Sequence, residues 1–205
     1  MLVEHRGKGP TIHESAFIAP NATICGDVTI GPNSHVLSGA VITAAGGAVE
    51  IGSNCVIMEN AILRGTRGNP LTLGDNVLVG PHAHLTGCTV ESNAFLATGS
   101  SVFTGARVGT GAEARINSVV HLKTSLPPNA TVPIGWIAVG DPCRILPPDE
   151  HEAIWLIQEP LNFPKTVFGL DRPAPGGTVM PEAMSRYAAS LGKHHGTDRI
   201  VEEQS

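Results

Sequence analysis

Nine histidines and four cysteines are spread along a chain of 205 residues, with 13 Lys and Arg and 18 Asp and Glu. His82 and His84 flank Ala83, so on a strand both imidazoles point to the same side. Such a pair could chelate a divalent ion, but a third ligand is missing from the neighbouring register positions, Asn60, Gly99, Ile62 and Ser101. His13 and His35 read as ordinary surface residues. Cys25, Cys55, Cys88 and Cys143 lie far apart and show no paired metal spacing. Arg64 lies five residues beyond Glu59, close enough for a planar fork to reach a carboxylate of the same or a neighbouring subunit.

These residues sit in a repeat of six. Aliphatic anchors recur at Ile12, Ile18, Ile24, Ile30, Val36 and Ile42, then at Ile51, Ile57 and Leu63, then at Leu73, Val79 and Leu85. A five-residue step leads to Val90, Leu96, Val102, Val108, Ala114 and Val120. Two residues before each anchor stands a small or β-branched residue, among them Ala22, Ser34, Ala61, Ala83, Ala94 and Ser118; Pro10 and Leu71 depart from this. Cys55 and Cys88 occupy that small inward register and read as inert core thiols. Gly often follows the anchor, as at Gly31, Gly52, Gly74, Gly80 and Gly109, where it can supply the positive φ of a corner.

Each hexapeptide is therefore a short strand plus a corner, and three close one triangular coil. The pattern predicts an all-β fold, a parallel β-helix of about six coils spanning roughly 24 Å, with a C-terminal α-helix. Residues 1–125 form the prism. Residues 126–158 hold a proline-rich crossover, beginning Leu126-Pro-Pro, and a helix of Glu150 to about Gln158. Asp149 is its N-cap, and Ile154, Trp155 and Ile157 are its apolar face. Residues 159–205 form a Pro- and Gly-rich extension, with an extended chain over Glu159 to Gly177 and a helix from Pro181 to about Lys193 carrying Met184, Tyr187, Ala188 and Leu191. The last ten residues are expected to be loose. Ala44–Ala48 and Gly65–Pro70 interrupt the period and loop out of the prism.

Composition narrows the function classes. A net charge of −5 without a basic run argues against nucleic acid. No apolar stretch reaches the ~18 residues of a membrane span, and the N-terminus lacks a signal-peptide core. The expected setting is the cytoplasm, with reduced thiols. Aromatic residues make up only 4% of the chain, so the core must be built from small and branched side chains.

Four stretches carry a family resemblance across about residues 10–158: Ala16-Phe-Ile-Ala-Pro-Asn-Ala-Thr-Ile-Cys-Gly-Asp-Val-Thr-Ile-Gly31, Pro70-Leu-Thr-Leu-Gly-Asp-Asn-Val-Leu-Val-Gly80, Gly87-Cys-Thr-Val90 and Val139-Gly-Asp-Pro-Cys-Arg-Ile145. They resemble the γ-class carbonic anhydrases of the hexapeptide-repeat (isoleucine-patch) transferase superfamily. The resemblance implies a left-handed coil, a homotrimer and a zinc ion held by three histidines shared between subunits. It places those histidines at Arg64, Pro81 and Thr86, none of which is such a ligand. The family's supporting polar residues fall on Thr43, Ala45, Val56, Met58 and Glu59, where only Glu59 keeps its charge.

The resulting expectation is a γ-carbonic anhydrase-like homotrimer without the zinc centre. Its inter-subunit cleft, with Glu59, Arg64, His82, His84 and Thr86, binds a small molecule or carries a divergent activity. A CoA-dependent acyltransferase, with CoA as cofactor and His84 or His121 as base, is the alternative on the same fold. A hydratase with its metal moved to His82 and His84 is the other.

Overall fold

The computed structural model describes residues 1–44, 46–174, 176–192 and 198–201. Its body is a parallel β-solenoid with three flat faces. One face holds ten strands and the other two hold seven each. Eight strands of the ten-stranded face are mutually parallel: Leu2–Glu4, Thr23–Cys25, Val41–Thr43, Ile62–Arg64, His84–Thr86, Ser101–Val102, Val119–Val120 and Ile137–Val139. The solenoid therefore has seven full coils and begins an eighth, more than the expected six. Both edges of this face are covered by antiparallel strands, Arg144–Leu146 at one end and Arg199–Ile200 at the other. Covering an edge removes the open row of N–H and C=O groups that would otherwise template aggregation.

The inward register of six holds the core. Ile24, Ile42, Leu63, Leu85, Val102 and Val120 follow one another up the ten-stranded face and are fully buried. Cys55 and Cys88 lie in the same core, as expected, and Ser34, Ser100 and Ser118 share their register. Ser34 Oγ donates to the Gly52 carbonyl at 2.8 Å, which lets a hydroxyl lie inside the prism.

The period does not fail at Val120. Leu126, Val132 and Ala138 continue it as buried anchors, and the strands Ser125–Leu126 and Thr131–Val132 join the parallel ladders. The segment read as a crossover is thus another coil. Pro127, Pro128 and Pro133 sit just past the strands, where a missing N–H interrupts no ladder bond. Trp136, at the small register of the uppermost coil, packs partly buried against the core.

The corners also differ from expectation. The residue three beyond the anchor, not the one after it, takes positive φ: Asn33, Asn54, Asn60, Asn76, Asn93, Asn117 and Asn129, and the glycines at 39, 99, 105, 111 and 135. His82 (φ 57°) and Lys123 (φ 54°) hold the same place. The glycines directly after the anchors answer to space. A Cβ on Gly31 would lie 2.7 Å from the Gly52 carbonyl oxygen, and one on Gly52 would lie 2.6 Å from that of Gly74.

The expected C-terminal helix, α1, runs His151–Gln158 with Glu150 as its N-cap, one residue later than the Asp149 cap allows. Only Ile154 of its apolar residues is buried; Ile157 contacts the Gly140 turn, and Trp155 faces outward beneath the Arg172 guanidinium, 5.2 Å from the ring centre. The segment expected to be extended contains a short helix, α2 (Phe163–Phe168), with Pro164 in its first turn and Gly169 as a left-handed C-cap. Helix α3 spans Met180–Gly192, and Lys193 lies outside the described residues. It buries Ala183, whereas Met184, Tyr187, Ala188 and Leu191 are exposed. Within the last ten residues, Arg199–Ile200 is a strand on Leu2–Glu4 rather than a loose end, because that edge still offers unpaired backbone groups. No described helix is long and apolar enough to cross a membrane.

Candidate functional site

Outward residues of the ten-stranded face form two columns. In one, the ladder aligns Cys25, Thr43, Arg64 and Thr86. Phe103 and His121 continue it upward, their rings 6.2 Å apart. In the other it aligns Val41, Ile62, His84, Ser101, Val119 and Ile137. Arg64 and Thr86 are thus direct neighbours on successive coils, with His84 two residues before Thr86 on its own strand.

The Thr86 hydroxyl and His84 Nε2 share a hydrogen bond of 3.1 Å. Burial, and then the positive Arg64 nearby, push the His84 imidazole below its ordinary value of 6.5. His84 is therefore neutral in a cationic setting. Pro81 lies at the corner opening this coil, next to His82, whose left-handed backbone places it in the turn rather than on the strand. The two histidines expected to flank Ala83 on one strand are thus in different local geometries. Among the described residues, no group of three metal-ligating side chains contains either. Glu59 is half-buried, and the ion pairs of the described residues include neither it nor Arg64. A guanidinium, a prolyl ring and a hydroxyl at 64, 81 and 86 do not make the donor set of a three-histidine zinc centre.

Two loops beside this column shape its rim. The insertion at Gly65–Pro70 is closed by a bridge between Thr66 and Asn69, and it stacks on the Gly46-Gly47 turn below. A Cβ on Gly65 would run into the Gly47 carbonyl, so a bare backbone is needed at that crossing. Ala45, in the lower loop, lies outside the described residues.

His121 lies higher in the same column and opens onto a cavity of about 330 Å³ lined also by Trp155, Leu161, Phe163 and Arg172. Burial lowers its pKa, and its Nδ1 has no hydrogen-bond partner among the described residues. This cavity depends on where the tail carrying Phe163 and Arg172 folds, which no periodicity in the chain signals. A second assembly invisible in sequence is His5, Cys25 and Asp198, whose ligating atoms lie within 4.8 Å of one another. Separations of 20 and 173 positions carry no local signal.

Residues 9–44 match the family of bacterial transferase hexapeptide repeats (six repeats). The chain is 34% identical over 146 residues to a carbonic anhydrase of Geobacillus kaustophilus, covering 71% of this chain and 77% of that protein. It is 31% identical over 163 residues to the mitochondrial γ carbonic anhydrase 1 of Arabidopsis thaliana, covering 76% of this chain and 57% of the plant protein. The chain thus spans little more than half the length of that relative. A crystal structure of a putative acetyltransferase from Bacillus cereus superimposes with a TM-score of 0.62 at 29% identity, covering 77% of this chain and 90% of that one. Coil, register and likeness agree, and the chain belongs to the hexapeptide-repeat family that includes the γ-class carbonic anhydrases.

Proposed function

We propose that this protein is a homotrimer whose inter-subunit cleft, at Arg64, His84 and Thr86, binds a small oxyanion-bearing molecule and does not hydrate carbon dioxide through a three-histidine zinc centre. The observation that carries this reading is the placement of Arg64 beside a neutral His84 and the Thr86 hydroxyl, with no carboxylate paired to the guanidinium among the described residues. A guanidinium fork recognises a carboxylate or phosphate bidentately, and a hydroxyl adds a directed donor. The residues beside it, Val41, Ile62, Val119 and Ile137, make a flat and largely apolar column suited to another subunit. Light scattering should give the mass of three chains rather than the 21.3 kDa of one. Calorimetric titration with bicarbonate, phosphate and acetyl-CoA should show binding of at least one, lost in Arg64→Ala. Stopped-flow hydration of CO₂ by zinc-supplemented protein should match buffer. Acceleration that depends on Arg64, Pro81 and Thr86 would overturn the reading.

A second reading has its own observation, the cavity beside His121. A neutral imidazole lining this cavity can take a proton from an acyl acceptor, and Arg172 beside it could hold a phosphate of an acyl donor. Acetyl transfer from acetyl-CoA to an amine, abolished in His121→Ala and retained in Arg64→Ala, would favour it over the first.

A further inference from the structure

The chain's two ends meet at the base of the ten-stranded face. Leu2–Glu4 is its lowest parallel strand, and Arg199–Ile200 pairs with it antiparallel, Val3 opposite Ile200 and Glu4 opposite Arg199. The next pair in that register is His5 with Asp198. His5 Nδ1 lies 2.5 Å from Asp198 Oδ1. On the other side Val3 pairs with Cys25 of the second coil, which brings the thiol within 4.8 Å of the same imidazole.

His5 is fixed from three directions. Reciprocal backbone bonds with Lys8, of 2.9 and 3.1 Å, close a tight turn over Arg6 and Gly7, both left-handed as such a turn requires. The ring is buried, at 8% exposure. Gly26, also left-handed, leaves room for it, since a Cβ there would lie 3.4 Å from the His5 Cβ. Lys8 pairs with Asp27 at 2.5 Å and ties the turn to the second coil.

We propose that His5, Cys25 and Asp198 form a binding site for one divalent transition-metal ion of the zinc type, with the remaining coordination position left to water. The three ligating atoms already lie within 4.8 Å of one another, and a shift on the order of an ångström brings them to three corners of a tetrahedron around an ion with bonds of about 2.0–2.3 Å. One imidazole, one thiolate and one carboxylate are a borderline-soft set, which suits zinc and cobalt better than magnesium or calcium. On binding, the thiol proton passes to solvent as the sulfur–metal bond forms. His5 Nδ1 exchanges its hydrogen bond with Asp198 for the ion, its proton residing on Nε2. The site lies two coils below Arg64 in the same column and is independent of the cleft chemistry proposed above. Its effect is to staple the C-terminal strand to the first coil.

The test uses the full chain, stripped of metal by dialysis against a chelator and titrated with Zn²⁺ in competition with a chromophoric chelator. One ion per chain is expected. Co²⁺ in place of zinc should give an intense thiolate-to-cobalt absorption. Cys25→Ser should abolish that band and weaken zinc by roughly a hundredfold or more, and Asp198→Asn and His5→Ala should weaken it too. His13→Ala should leave it unchanged. Circular dichroism checks that the solenoid persists; Asp198→Asn, at an exposed residue, reports even if Cys25→Ser misfolds. No bound zinc, equal binding in Cys25→Ser and Asp198→Asn, or an ion lost only with His84→Ala would overturn the proposal.

Discussion

Arg64 and His84 stand on successive coils of one face, and the fixed guanidinium adds to burial in keeping the imidazole neutral. The folded pKa of His84 is depressed below the unfolded value near 6.5. Its contribution to stability is therefore present above that value and lost as pH falls through the folded pKa. Thermal unfolding followed from pH 8 to pH 5 should show a falling melting temperature, and His84→Gln should flatten part of that slope. In Arg64→Ala the ring should titrate higher by NMR, though still below 6.5, because burial is the larger cause.

Leu85 is the fully buried anchor directly behind His84 and Thr86. Truncation to Ala leaves a hole that stacked coils cannot collapse into, and should cost about 2–5 kcal/mol. Chemical denaturation measures this. Because Leu85 holds the strand bearing both polar residues, ligand binding at the cleft should weaken in parallel.

Gly52→Ala would place a methyl group 2.6 Å from the Gly74 carbonyl oxygen and the Asp75 carboxylate. We expect a loss of about 1–3 kcal/mol, since the backbone of the coil above must move. Gly68→Ala is a useful contrast: its Cβ would meet nothing within 4 Å, so only the left-handed φ of 76° resists it.

Lys123 occupies a corner position that asparagine or glycine fills on most coils. A left-handed backbone costs an ordinary side chain roughly 1–2 kcal/mol, so Lys123→Asn should raise stability by up to about 1 kcal/mol. A lower melting temperature would show that the lysine side chain makes a contact worth more than the strain.

The sequence by itself determined the solenoid. A core register of six, with small residues two positions earlier, admits only a three-sided coil, and every anchor from Ile24 to Val120 is buried. The same register ran on through Leu126, Val132 and Ala138, but Pro127 and Pro128 masked it, because proline reads as a break unless the corner it occupies is known. The positive-φ corners were misplaced, because glycine after the anchor signals conformational freedom but there serves the close approach of stacked coils, while asparagines and glycines three beyond the anchors make the turns. The column of Arg64 and Thr86 followed from counting. What counting could not supply was the relation between His82 and His84, since a left-handed corner separates two residues that alternation alone places together. Tertiary structure alone decided the rest. The His121 cavity needs a tail helix folded beside the prism, and the meeting of His5, Cys25 and Asp198 needs the last strand to find the first. Solenoid coils are set by neighbours in a repeating register, so they are written locally. Contacts between a prism and a non-repeating tail have no period, and only the folded chain specifies them.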